Sequence, residues 1–132
     1  MANAATRGVG AKRYTDLIVW QIARELADRI TRLTLGAGFQ REFDIVRQLR
    51  RSANSVCANI AEGFGRYRPA EFAHYLEIAR GSLMETDNHL RDALDCRYVT
   101  KEEHTRLCRL VDRAIGATTK LIVYLKGKGR NH

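Results

Sequence analysis

Apolar residues recur at spacings of 3, 4 and 7 in four successive blocks of this 132-residue chain, and no other feature limits its fold as tightly. That period belongs to the α-helix, where residues three and four apart share a face. A β-domain of this length needs many Gly, Pro and Asn turns, yet the chain holds a single proline, Pro69. The expected class is all-α. The length suits one domain with one core, without disulfide or metal staples.

Stepping residues 15–34 around a helix at 100° puts Val19, Trp20, Ile22, Ala23, Leu26, Ala27, Ile30 and Leu33 in an arc of about 160°. Gln21, Arg24, Glu25, Asp28, Arg29 and Arg32 lie opposite. The arc exceeds the stripe of about 100° that one core requires, so part of it is expected to face another subunit. Thr15 or Asp16 is the expected cap, and Gly36 with Gly38 the expected stop. A second helix is expected from Arg41 to Ala61, with Ile45, Leu49, Ala53, Val56, Ile60 and Phe64 on one face and Gly63 and Gly65 ending it. Its run of Ser52, Ala53, Ser55, Ala58, Ala61 and Gly63 is small enough to let another helix approach closely. Pro69 suits the first position of a third helix, since proline has no N–H to lose there; Phe72, Leu76, Ala79, Leu83, Leu90 and Leu94 form its seam. The fourth opens on a capping box, Thr100 to Glu103, and its seam runs from Leu107 to Leu125.

Four helices with short connections imply antiparallel neighbours, hence an up-down-up-down four-helix bundle over residues 14–126. Residues 1–13 read as a flexible basic N-terminal arm and residues 127–132 as a basic C-terminal tail. The net charge of +8 comes mostly from these ends. Within the body, residues 41–68 carry +3, residues 69–96 carry −4 and residues 97–125 carry +3. Such segregation suits pairing between helices or chains as well as it suits an outside polyanion. The topology brings the arm, the Arg66-Tyr-Arg68 connection and the C-terminal tail to one pole.

Several function classes lack their residues. Residues 1–13 hold no signal-peptide core and no segment approaches the roughly 20 apolar residues of a membrane span, so a cytoplasmic location and no membrane partner are expected. Cys57, Cys96 and Cys108 form no C-x-x-C pattern and are expected to be reduced, packed thiols. Glu71-Phe-Ala-His74 is the one Glu-x-x-His word, and a single ligand pair does not close a two-metal site, so no metal or cofactor is expected. No nucleophile elbow, Walker loop or dinucleotide fingerprint occurs, and the expectation is no enzyme.

The densest polar constellation is a strip on the second helix, Gln48, Ser52, Ser55, Asn59 and Glu62, facing Tyr75, Ser82, Glu85 and His89 on the third. Arg50, Arg51 and Arg80 are the expected partners of Glu62 and Glu85, because charges inside a bundle must be paired. The expected role is structural, setting register or a subunit contact. Arg106, Arg109, Arg113 and Lys120 share the outer face of the fourth helix, where a solvated face and a nucleic-acid contact both fit.

The stretch Gln48 to Gly65, QLRRSANSVCANIAEGFG, with LEIARGSLME from Leu76 and DLIVWQIARELA from Asp16, resembles a family of four-helix bundle proteins. Its members were first noticed as open reading frames in intervening sequences of bacterial 23S ribosomal RNA genes. The resemblance spans about residues 14–125. It implies an up-down bundle, a ring-like homo-oligomer with a pentamer as first choice, and no established enzymatic activity. Similar bundles accompany diversity-generating retroelements and bind nucleic acid. One departure stands out: Cys57 occupies the position where the family usually has proline.

The functional expectation is a non-enzymatic homo-oligomeric module that binds RNA or DNA through phosphates with little sequence selectivity. Its expected contacts are Arg7, Lys12, Arg13, Arg66, Arg68, Lys126, Lys128 and Arg130 at the basic pole. The alternative is a structural or protein-interaction scaffold without nucleic-acid binding.

Overall fold

The structure is a computed structural model that describes residues 10–130, with side chains over residues 10–128. Among the described residues it contains four α-helices and no strand: α1 (Ile18–Leu33), α2 (Phe43–Phe64), α3 (Pro69–Asp95) and α4 (Lys101–Arg130). Each packs against its chain neighbours, and α1 closes the square against α4. Antiparallel order is visible in the cross-contacts of α3 with α4, where Glu77 meets Lys126, Arg80 meets Thr119 and Asp87 meets Cys108.

The seams read from the sequence meet in one core. Leu26, Ile30, Leu49, Val56, Ile60, Phe72, Leu76, Leu83, Leu90, Val111 and Leu125 are all fully buried in it. Each such side chain contributes roughly 1.5–3 kcal/mol relative to exposure. Pro69 takes the first turn of α3. The capping box of α4 forms, with the Thr100 amide donating to Glu103 Oε1 at 2.8 Å and the Glu103 amide to Thr100 Oγ1 at 3.1 Å.

The ends differ from expectation where tertiary contacts intervene. Asp16 does not cap α1; it accepts the amides of Lys12 and Arg13, closing a separate turn at Tyr14–Asp16, and α1 starts at Ile18. Gly63 does not stop α2, which runs on to Phe64. A Cβ on Gly63 would lie 2.7 Å from Tyr75 Cβ and 2.9 Å from Phe72 Cδ1, so the glycine is there to let α3 close. Left-handed backbone falls instead on Arg41, Tyr67 and Arg97, one in each connection. Arg97 ends α3 in a Schellman pattern, with the Tyr98 amide reaching the Ala93 carbonyl. At that lower end Gly38 sits so close to the Tyr98 carbonyl that a Cβ there would come within 2.4 Å of it, and Phe39 packs its ring on Tyr98. The last helix continues to Arg130, so residues 127–130, read as tail, are helical.

Candidate nucleic-acid interface

The polar strip of α2 lies against α3 within one chain. Ser55 Oγ is 3.0 Å from Ser82 Oγ, and buried Thr86 Oγ1 is 2.9 Å from Ser52 Oγ and 2.8 Å from the Ser82 carbonyl. Asn59 Nδ2 donates to Ser55, and Gln48 accepts from Arg51, which also pairs with Glu85; His89 Nε2 is 3.3 Å from the same carboxylate. Small hydroxyls that bond one another let two backbones approach closely without leaving a buried polar atom unsatisfied, and among the described residues none is. Arg50 and Arg80 stand outside this set: Arg50 Nε donates to Thr34 Oγ1 and Arg80 Nη1 to Thr119 Oγ1. Glu62 pairs with Arg66, one helical turn on, rather than across the seam. Thr86 was missed by the sequence reading, although it lies four residues after Ser82 on the same face.

The hydrogen bond from Arg51, seconded by that from His89, holds the Glu85 carboxyl below its usual range. Lys126 does the same to Glu77 across α3 and α4. Carboxylates with lowered folded pKa stabilise the fold above their unfolded value of about 4.3 and lose that contribution as pH falls through the folded value. The urea midpoint is therefore expected to drop between pH 7 and pH 3, and Glu85→Gln to show a smaller drop than the parent. Equal drops in the two proteins would refute the linkage.

Thiol chemistry is muted at two of three positions. Burial pushes Cys57 up to about 11, and burial with the neighbouring Asp87 carboxylate pushes Cys108 up to about 11. Cys96 is exposed, so the expectation that all three are packed fails there: it follows the last turn of α3, outside the core. Among the described residues, no three His, Cys, Asp or Glu side chains converge as a metal site, and no helix is long and apolar enough to cross a membrane.

Among the described residues, three cations of the upper pole face acids. Arg66 Nη2 reaches Glu62 at 2.8 Å and Tyr75 Oη at 2.7 Å, Lys126 Nζ reaches Glu77 at 3.0 Å, and Arg68 lies 3.9 Å from Glu71. Lys128 sits over the Tyr124 ring. Lys12 and Arg13 are exposed. Arg7 and the side chain of Arg130 lie outside the described residues.

A different cluster emerges along the seam of α1 and α4. At 100° per residue, Arg106, Arg109, Arg113 and Lys120 fall within an arc of about 60° on α4 and span about 21 Å of its axis. Arg29 and Arg32 of α1 border the same groove. Among the described residues, Arg32, Arg106, Arg109, Arg113 and Lys120 have no acidic partner. Of the acids nearby, Glu25 pairs with Arg29 and Glu103 accepts the Thr100 amide, while exposed Glu102, one turn before Arg106, borders Arg106 and Arg109 without an ion pair. Above Arg113 the groove becomes apolar.

Fold and surface together define a four-helix bundle with a cationic seam and muted thiols. The chain belongs to the 23S rRNA-intervening sequence protein family, whose sequence profile matches residues 15–120. It is similar in structure to a protein of unknown function from the S23 ribosomal protein family of Bacteroides thetaiotaomicron VPI-5482, with 26% identity and a TM-score of 0.73. That match covers 80% of this chain and 98% of the other. No curated protein matches the chain.

Proposed function

We propose that this protein is a non-enzymatic helical module that assembles with copies of itself and holds RNA or DNA through phosphate contacts along α4. The observation that carries the reading is the row Arg106, Arg109, Arg113 and Lys120, four exposed cations on one face of α4, none of them in an ion pair among the described residues. Arginine forks match phosphate oxygens, and four contacts along one helix track a backbone without reading bases. Among the described residues, the pole expected from topology is the weaker surface, because Arg66, Arg68 and Lys126 face Glu62, Glu71 and Glu77 there, leaving Lys12, Arg13 and Lys128 without an acid. A non-enzymatic role is supported by the raised thiols of Cys57 and Cys108 and by seam hydroxyls bonded to one another.

Titrating labelled RNA and DNA at about 50 mM and about 200 mM salt tests the reading. Four phosphate contacts predict a loss of about a hundredfold in affinity between the two. No binding at the lower salt would leave the scaffold alternative in its place.

Self-assembly is supported by apolar side chains that the core leaves in water. On α3, Ile78 is 40% and Met84 53% exposed. The solution mass is expected to be a multiple of 15.0 kDa, and to fall when Ile78 and Met84 become glutamate. A wild-type mass of one chain would exclude assembly.

A further inference from the structure

Phosphate binding by the arginine row leaves the upper end of the same groove without a role. There Ile18, Ile22, Ala117, Leu121 and Tyr124 line a mostly apolar recess of about 720 Å³. Ile18 is 70% and Tyr124 37% exposed, so these two face water, while Ile22, Ala117 and Leu121 are half-buried against the core. Arg113 borders both this recess and the arginine stretch below it, and Lys120 stands on the recess wall, so cationic and apolar parts are one continuous channel. Asp16, the acid at its rim, is engaged by the amides of Lys12 and Arg13.

Resting on the phosphate-binding reading, we propose that the α1–α4 groove takes single-stranded nucleic acid, with phosphates on Arg106, Arg109, Arg113 and Lys120 and a base in the recess against Tyr124, Leu121 and Ile18. Charge complementarity selects a polyanion as occupant. The apolar end selects its form. A duplex keeps its base faces stacked inside and offers a protein groove phosphate and sugar, so the recess would stay wet. A single strand carries free base faces, and these leave water when they stack on an aromatic ring or pack against aliphatic groups.

The experiment compares one sequence as single strand, as duplex, and as single strand with abasic positions, all titrated against the full chain at low salt. The single strand is expected to bind about tenfold more tightly than the duplex, the effect of one stacked base. The abasic strand should fall to the duplex level. Ile18→Ser with Tyr124→Ala should erase the preference while leaving duplex affinity and salt slope unchanged. Equal affinity for all three ligands overturns the inference while leaving phosphate binding intact, whereas no binding of any ligand removes the reading on which it rests. If the double variant lowers the solution mass and keeps the single-strand preference, the recess belongs to a second copy and the inference fails.

Discussion

Replacing Gly63 with alanine lowers the stability of the bundle, while the same exchange at Gly81 raises it. Both glycines lie inside helices, where alanine is favoured by about 1 kcal/mol. At Gly81 nothing stands within 4 Å of the new methyl group, so that gain is realised. At Gly63 the methyl meets Tyr75 Cβ at 2.7 Å and Phe72 Cδ1 at 2.9 Å. A Cβ is fixed to its backbone and cannot swing aside, so α2 and α3 must separate. Separation loosens the Ser55–Ser82 and Ser52–Thr86 bonds, which require the present spacing. Overpacking of this kind costs about 1–3 kcal/mol, and more where a hydrogen-bonded seam is stretched with it. The net expectation is a loss of about 1–2 kcal/mol at Gly63. For a chain of this size that shifts the melting temperature down by roughly 3–10 °C, against a rise of a few degrees at Gly81. Urea unfolding of the two variants reads both signs, and a Gly63→Ala protein as stable as the parent would show that the seam is looser than described.

The second large effect concerns α4. Changing Arg106, Arg109 and Arg113 together to alanine is expected to weaken nucleic-acid binding by about tenfold per phosphate contact at low salt. It should also flatten the dependence of log affinity on log salt by about 2–3. All three side chains are exposed, so the variant keeps its core and helical content. Lys12→Ala with Arg13→Ala, at the pole, should change the slope less than the α4 variant does. If the pole variant shows the larger change, the contact surface returns to where the topology alone suggested it.

These two expectations divide what was legible in the chain from what was not. Pro69 at the start of α3 and the Thr100–Glu103 box are local devices, complete within four residues, and sequence is sufficient to read them. The apolar seams are periodic along one helix, and period survives in any tertiary setting. Gly63 was misread as a stop because its purpose lies on α3, twelve residues away at Tyr75. Arg50 and Arg80 were assigned to the wrong partners for a related reason: hydroxyls of Thr34 and Thr119, distant in sequence, fall nearer than either glutamate.

By itself, then, the sequence determined that this protein is four amphipathic helices with one core, and where its charges stand along the chain. Only the tertiary structure decided which charges remain unpaired. Pairing depends on which helix faces reach one another in space: α3 carries its acids to Arg51 and Lys126, and Glu62 folds back on Arg66. Among the cations left unpaired, the row on α4 stands beside an apolar recess, a surface assembled from residues about a hundred positions apart.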